Sequence, residues 1–167
     1  LMWVRTSGGN DDVMIITSLG QSIRFKEKDI RPMGRTAAGV HGIRLKKDDY
    51  VVGMDVVDPK LVDKGLIELL IVTGDGFGKR TALKFYKVQH RSGSGVKTAK
   101  VTKKTGPVIG AFIVNRSDER DIMLVSTKGQ VIRLPFASIS TQGRATQGVR
   151  LMRFKEPNDQ VSNVTFV

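Results

Sequence analysis

Three copies of one sequence pattern run through this chain of 167 residues. Each copy has an apolar run, a turn containing a glycine, and a strand-like stretch with a basic residue. The copies begin VMIITSLGQSIRF at Val13, LLIVTGDGFGKRT at Leu69 and IMLVSTKGQVIRL at Ile122. Their turn glycines, Gly20, Gly76 and Gly129, are 56 and then 53 residues apart. Because one repeat buries its apolar face only against a neighbour, the pattern predicts an array of stacked units.

Each repeat is predicted to contain about four β-strands. The first is apolar and ends at the glycine turn, which is typical of a hairpin, and the second alternates, with Ile23 and Phe25 on one face. A third, alternating strand is expected where Ile43 and Leu45 flank Arg44, and where Met152 and Phe154 flank Arg153. A last apolar strand is expected at 51–57, 108–114 and 161–167. No window shows a sustained helical period, so we predict an all-β array of propeller-like blades.

The repeats divide the chain into four segments. Residues 1–11 resemble the closing strand of a preceding repeat and do not make a full unit. The three blade repeats are expected at 12–67, 68–120 and 121–167. Both ends of the chain suggest an array cut from a longer one, so we expect either further repeats or pairing between two copies at the unpaired sheet edges.

The charge indicates a polyanionic partner. Lys and Arg number 28 against 16 for Asp and Glu, which gives a net charge of +12 and a pI near 10.2. From Gly76 to Ser117 there are ten basic residues and no acidic one. Such a one-sign surface costs self-repulsion, which favours a functional origin. A membrane surface is a poorer partner because the densest apolar run, 66–72, is short and contains Glu68.

Three basic columns recur in register and are predicted to contact DNA phosphates. They are Arg24, Arg80 and Arg133; Arg35, Arg91 and Arg144; and Arg44, Lys100 and Arg153. Lys79, Lys97 and Arg150 complete the predicted set. For the first and third columns, an equally good interpretation is the solvent face of an alternating strand. Phosphate contacts carry no base information, so binding is expected to be weakly selective and steeply salt-dependent.

Other chemistries find little support in the sequence. The string GDGFGK at 74–79 has the glycines of a phosphate loop, but no helix follows it. The two histidines, His41 and His90, occupy non-equivalent positions, so we predict no metal site. No nucleophile, paired carboxylate or cysteine suggests catalysis, and we expect neither an enzyme activity in this chain nor a cofactor. The absence of cysteine fits a reducing cytoplasm.

Three strings carry a specific likeness to a known family. IRPMGRTAAGV at 30–40, GFGKRT at 76–81 and ISTQGRATQGVR at 139–150 resemble the repeats of the C-terminal domain of bacterial DNA gyrase A, in order and spacing. The topoisomerase IV counterpart usually has more degenerate repeats and is the poorer match. The resemblance spans nearly the whole chain.

The resemblance implies a β-pinwheel whose blades exchange strands and whose basic rim wraps double-stranded DNA. It also implies two protein partners, the rest of the gyrase A protein and the ATPase subunit, in an enzyme that introduces negative supercoils. The family's Gln-basic-basic-Gly-Gly-basic-Gly heptapeptide is absent here, and QHRSGSG at 89–95 is a degenerate relative of it. Three repeats also fall short of the family's six or so blades. The alternative is a propeller whose basic face binds an acidic protein.

Overall fold

The computed structural model describes residues 1–167 and consists almost entirely of β-strands. The eleven strands are β1 (Asp12–Thr17), β2 (Gln21–Lys26), β3 (Val51–Val57), β4 (Ile67–Thr73), β5 (Phe77–Ala82), β6 (Val96–Lys97), β7 (Val108–Asn115), β8 (Asp121–Ser126), β9 (Val131–Pro135), β10 (Val149–Arg150) and β11 (Val161–Phe166). A short 3-10 turn follows the second strand of each repeat, at Glu27–Asp29, Leu83–Phe85 and Phe136–Ser138. The single α-helix, α1, covers Pro59–Asp63. The all-β prediction is therefore confirmed.

The strands form three antiparallel sheets, one for each blade. Blade 1 has the order β3-β1-β2-β6, blade 2 the order β10-β5-β4-β7, and blade 3 the order β11-β8-β9. In blades 1 and 2 the strand beyond the hairpin's second strand comes from the next repeat along the chain. β6 belongs to the second repeat but pairs with β2, and β10 belongs to the third repeat but pairs with β5. Neighbouring blades are thus joined by exchanged strands, as the pinwheel resemblance implies.

The exchange corrects the prediction for the third strand of each repeat. That strand was expected around Arg44 and Arg153, but the structure has strands only at Val96–Lys97 and Val149–Arg150. The backbone N–H of Arg44 donates instead to the carbonyl of Gly93, in a loop of the next repeat. Strand β6 ends because the N–H groups of Thr98 and Ala99 both turn to the carbonyl of Gly20. The equivalent segment of the first repeat, 40–41, is not a strand because it has no sheet edge to pair with in this chain.

Glycine allows the exchanged strands to approach their host blades closely. Gly95 and Gly148 precede the two strands and have φ values of +70° and +85°. A Cβ at Gly95 would lie 2.3 Å from the Ser22 carbonyl oxygen, and one at Gly148 would lie 2.5 Å from that of Gly78. Side chains are excluded at both positions by backbone conformation and by space. The equivalent Gly39 has φ +86° and open space around it.

Two apolar cores lie between adjacent blades. The first joins Met14 and Ile16 of β1 to Leu69 and Ile71 of β4, all at most 1% exposed. The second joins Leu70 and Val72 of β4 to side chains of β8, β11 and the segments around them; these include Ile122, Leu124, Val161, Val164, Phe136, Ile139 and Met152. β4 therefore uses both of its faces, which explains why all seven of its residues are buried. At roughly 25 cal/mol per Å² of buried apolar surface, these two cores are the main source of stability.

Two features at the first repeat's borders differ from the predictions. Residues 1–11, expected to be a closing strand, form no strand, because a strand requires a hydrogen-bonded partner and this segment has none in the chain. An ion pair of 2.9 Å between Arg5 and Asp55 links the segment to the sheet. Helix α1 was not predicted, although Asp58 accepts a hydrogen bond from the N–H of Lys60 and Pro59 occupies the first turn. An Asp-Pro pair is a common helix start, but one turn is too short for a periodic signal.

Candidate nucleic-acid interface

The first basic column, Arg24, Arg80 and Arg133, forms the same ion pair in every blade. Each arginine lies on the second strand and faces an acid at the start of the first strand. The pairs are Arg24 with Asp12 at 2.6 Å, Arg80 with Glu68 at 3.4 Å, and Arg133 with Asp121 at 2.6 Å. Asp12, Glu68 and Asp121 are themselves equivalent in the repeat. Each arginine of this column therefore forms an ion pair that links the second strand of its blade to the first.

In blades 1 and 2 the same arginine also holds the next repeat. Arg24 donates to the carbonyl of Tyr86 at 3.1 Å, and Arg80 donates to the carbonyl of Ile139 at 2.7 Å. Tyr86 and Ile139 are equivalent positions, so the contact is a repeated inter-blade strut. The prediction that Arg24 and Arg80 contact phosphate needs correction, because their side chains are only 7% and 13% exposed and their charges are already paired. Arg133 is 64% exposed and contacts Asp121 alone.

The prediction that Lys79 contacts DNA phosphate also needs correction, because the residue is buried and only 1% exposed. Its ammonium donates to the carbonyls of Gly143, at 2.6 Å, and Arg144, and to the Oγ1 of Thr146 at 3.0 Å. Burial, together with the smaller effect of the nearby Arg144 charge, lowers the pKa of Lys79 to about 8. Lys79 is thus a clamp on the loop of the third repeat that precedes β10.

The second basic column has three different environments. Arg35 is exposed. Arg91 is half-buried and donates to the carbonyls of Asp29, at 3.0 Å, and His41, at 3.1 Å, so it holds the equivalent loop of the first repeat in place. Arg144 is half-buried and its guanidinium lies 5.9 Å from the centre of the Tyr86 ring. The structure therefore does not bring this column together as one exposed row.

The third column is the most accessible of the three. Arg44, Lys100 and Arg153 are all exposed, and none takes part in an ion pair. The first two occupy equivalent places in the backbone as well, since the N–H of Arg44 donates to Gly93 and that of Lys100 to Thr146. These two residues lie where one blade's linker contacts the loop of the next.

Lys97 and Arg150 lie on the exchanged strands beside this column. Lys97 faces Gln21 of blade 1 and Arg150 faces Phe77 of blade 2, so each charge is carried onto the edge of the preceding blade. Arg150 lies 4.4 Å from the centre of the Phe77 ring, and Lys104 lies 5.8 Å from it. The Phe77 ring thus holds two cations at one edge. Lys104 was not among the residues predicted to contact DNA. The sequence feature that could have indicated it is its place in the acid-free stretch from Gly76 to Ser117.

Six of the twelve predicted residues are therefore exposed and free of any ion pair. They are Arg35, Arg44, Lys97, Lys100, Arg150 and Arg153.

Several acidic side chains, in contrast, are buried, among them Asp12, Glu68 and Asp159. Burial raises the pKa of Asp159, but hydrogen bonds from Ser126, Thr127, Lys128 and Gln160 outweigh it and lower the pKa below its usual value.

This arrangement defines a class of protein: a strand-exchanging, propeller-like β-array with cationic side chains along the edges of its blades. No helix in the structure is both long enough and apolar enough to cross a membrane. Three segments, 11–58, 68–115 and 120–167, match the family described as "DNA gyrase C-terminal domain, beta-propeller", one segment for each repeat. The chain belongs to that family.

Relatives and solved structures agree with the family. The chain is 46% identical over 153 residues to the DNA gyrase A protein of Staphylococcus epidermidis, covering 92% of this chain and 16% of that protein. The identity is the same for Staphylococcus aureus, with 17% of that protein covered. The chain thus spans about a sixth of the length of these relatives. A solved "DNA gyrase A C-terminal domain" is similar with a TM-score of 0.80 and 27% identity, covering 96% of this chain and 52% of that one. The C-terminal domain of DNA topoisomerase IV shares the fold, with a TM-score of 0.82 at 23% identity, covering 95% of this chain and 47% of that one.

Proposed function

We propose that this chain binds and bends double-stranded DNA through its phosphates, as an accessory domain of a DNA gyrase that introduces negative supercoils at the expense of ATP. The observation that carries the proposal is the set of six exposed, unpaired basic side chains on the exchanged strands and on the loops and linkers beside them. Its protein partners in the intact enzyme are then the rest of the gyrase A protein and the ATPase subunit. The chain itself contributes binding and no catalytic group.

The chemistry of the edge favours phosphates over base edges. Lys and Arg side chains on short strands and linkers offer mobile charges without a helix or ribbon that would enter a groove. Equivalent charges on successive blades fall at regular intervals on a curved array, which suits a bent duplex. Sequence preference then comes from how easily the DNA deforms.

The decisive measurement is DNA affinity as a function of salt. Each phosphate neutralised contributes about −0.9 to the slope of log K against log salt concentration. Simultaneous Arg44→Ala, Lys100→Ala and Arg153→Ala substitutions are expected to reduce the steepness of that slope by roughly 3. The fold should be unaffected, because all three side chains are exposed and unpaired.

A matched control removes the same charge from another place. Lys28, Lys60 and Lys64 are exposed and lie among acids, near Asp58 and Asp63, so we expect DNA to avoid them. Their triple Ala variant should keep the wild-type slope within about one unit. Equal effects of the two triple variants would reduce the proposal to net charge alone, and a wild-type slope near zero would refute it.

A competition experiment separates DNA from an acidic protein partner. Nonspecific duplex and a folded acidic protein are each titrated against a labelled duplex bound to the chain. Displacement by duplex at the lower concentration supports the proposal. Displacement by the acidic protein at a much lower concentration would favour the protein-interaction alternative.

A further inference from the structure

The 143–147 loop of the third repeat is attached to blade 2 by one buried side chain. The ammonium of Lys79 donates to the carbonyls of Gly143 and Arg144 and to the Oγ1 of Thr146. The hydroxyl of Thr146 in turn donates to the carbonyl of Gly143 at 2.9 Å. Lys79 therefore directs all three of its N–H donors, the full capacity of an ammonium group, to oxygen atoms of a single loop.

The corresponding contact between blade 1 and the second repeat is apolar. Ile23 is the residue of blade 1 equivalent to Lys79, and Gly93 is the residue of the second repeat equivalent to Thr146. A Cβ at Gly93 would lie 3.6 Å from the Cδ1 of Ile23, so the same two positions face each other at both contacts. The apolar pair Ile23–Gly93 of one contact thus corresponds to the hydrogen-bonded pair Lys79–Thr146 of the other.

Thr146 links the buried ammonium to an exposed basic residue. Its hydroxyl accepts a hydrogen bond from Lys79 at 3.0 Å, and its backbone carbonyl accepts one from the N–H of Lys100 at 2.9 Å. Lys100 is exposed and has no ion pair. Because one residue contacts both lysines, a displacement of the loop also moves the backbone from which the Lys100 side chain extends.

Arg144 is the second basic residue whose position depends on this loop. Its backbone carbonyl is bound by Lys79, while its guanidinium has no ion pair and lies 5.9 Å from the centre of the Tyr86 ring. The equivalent Arg91 donates instead to two backbone carbonyls of the first repeat. At that contact the arginine side chain connects the two loops, whereas at this one Lys79 holds the loop. The charge of Arg144 is therefore not paired within the chain.

We infer that Lys79 is a positioning residue for DNA binding, which acts through the 143–147 loop without touching the nucleic acid. Lys79 is only 1% exposed and cannot reach a phosphate. Holding the loop in one conformation keeps Lys100 and Arg144 in place before DNA binds, so binding does not have to order them. The inference rests on the proposed DNA binding, and it adds a buried residue to a surface otherwise made of exposed ones.

The first test is the salt dependence of DNA affinity in variants that remove the contact in different ways. Lys79→Met removes the donors and one positive charge, whereas Thr146→Val removes a hydroxyl and leaves the net charge unchanged. Since Lys79 contacts no phosphate, its replacement by Met should reduce the steepness of the slope only through other residues, by about 1–2. Thr146→Val should change the slope in the same direction and by less.

Two further variants separate hydrogen bonding from net charge. Lys79→Gln keeps two N–H donors without the charge and should recover part of the wild-type slope. Lys64→Met is the charge control, because Lys64 is exposed and follows Asp63 at the end of α1. It should keep the wild-type slope. Equal slopes for Lys79→Met, Lys79→Gln and Lys64→Met would overturn the inference, since the loss would then report net charge alone.

A double-mutant cycle provides a readout that a loss of stability does not produce. One phosphate contact corresponds to roughly eightfold in affinity at 0.1 M salt, so Lys100→Ala should weaken DNA binding by about that factor in the wild-type chain. In the Lys79→Met background it should weaken binding by less than about threefold, because Lys100 is no longer in place. Arg44→Ala is the matched control. Arg44 is the equivalent of Lys100 at the Ile23–Gly93 contact, and its effect should be the same in both backgrounds.

The possible outcomes distinguish this inference from the proposed function. Far-ultraviolet circular dichroism checks that each variant is folded under the assay conditions; if Lys79→Met does not fold, Thr146→Val and Lys79→Gln replace it in the cycle. A steep wild-type slope with an equal effect of Lys100→Ala in both backgrounds would overturn the inference and leave the proposed function standing. A wild-type slope near zero would overturn the proposed function and this inference with it.

Discussion

Replacing Gly148 by alanine tests the strand exchange directly. Gly148 precedes β10, whose Val149 and Arg150 pair with Gly78 and Phe77 of blade 2. A Cβ there would lie 2.5 Å from the Gly78 carbonyl oxygen, 2.8 Å from its carbonyl carbon and 3.3 Å from its nitrogen. All three atoms belong to the backbone of a paired strand and cannot give way as a side chain would. The loop and β10 must move instead.

The magnitude has two parts. A left-handed conformation costs a non-glycine residue about 1–2 kcal/mol, and overpacking a filled site typically costs about 1–3 kcal/mol more. Gly65→Ala incurs only the first part, since nothing lies within 4 Å of its Cβ position. The two variants should therefore differ by about 1–3 kcal/mol in the free energy of unfolding.

The assay is urea unfolding of wild type, Gly148→Ala and Gly65→Ala at one protein concentration. With a dependence on urea of about 2 kcal/mol per molar, the Gly148→Ala midpoint should lie roughly 0.5–1.5 M below that of the control. Equal midpoints would show that β10 is not held against blade 2 as described. If the proposed DNA contact is correct, Gly148→Ala should also lower DNA affinity more than the control, because Arg150 moves with β10.

Three further predictions concern buried charges. Arg24→Met leaves Asp12 buried without its partner and should lower the free energy of unfolding by about 3–5 kcal/mol. Arg133→Met removes the equivalent but exposed pair of blade 3 and should cost less than about 1 kcal/mol in the same urea assay. The pKa of Lys79 is about 8 in the folded chain and 10.5 without the fold. Between those pH values the unfolded state binds more protons than the folded state, so the free energy of unfolding should rise from pH 8 to 10. The rise should be at most about 3 kcal/mol over the full shift. Lys79→Met should remove that rise, and an unchanged pH profile in this variant would contradict the role of Lys79. The pKa of Asp159 is lowered in the fold, so its contribution is present above the usual aspartate pKa and is lost as the pH falls through the lower value; acid unfolding of Asp159→Asn should show a shallower loss, and an identical acid limb would contradict it.

The repeat made most of the fold predictable from the sequence. The hairpins, their glycine turns and the last strand of each repeat follow from local periodicity, and the structure has them at the expected places. The third strand was misplaced because alternation around Arg44 and Arg153 is a local signal, whereas the true strand is defined by pairing with another repeat. Two residues are enough for that pairing, which is too short to leave a pattern.

The site was less predictable, for reasons that differ between residues. The ion pairs of Arg24 and Arg80 had a readable signal, since Asp12, Glu68 and Asp121 form an acidic column at a fixed distance from the arginines. A basic column matched by an acidic one indicates a structural pair. Lys79 had no such signal, because its equivalents are Ile23 and Ile132 and only the folded loop of the third repeat surrounds it with oxygens.

Because strands are exchanged, the repeat in the sequence and the folded blade do not cover the same residues. Blade 1 is complete only with residues 96–97, which lie in the middle of the second repeat. A cut at a repeat boundary therefore removes part of the blade before it, whereas excising one full repeat length, wherever it begins, joins equivalent positions and restores the exchange. A segment of one repeat length therefore never corresponds to a blade that stands alone.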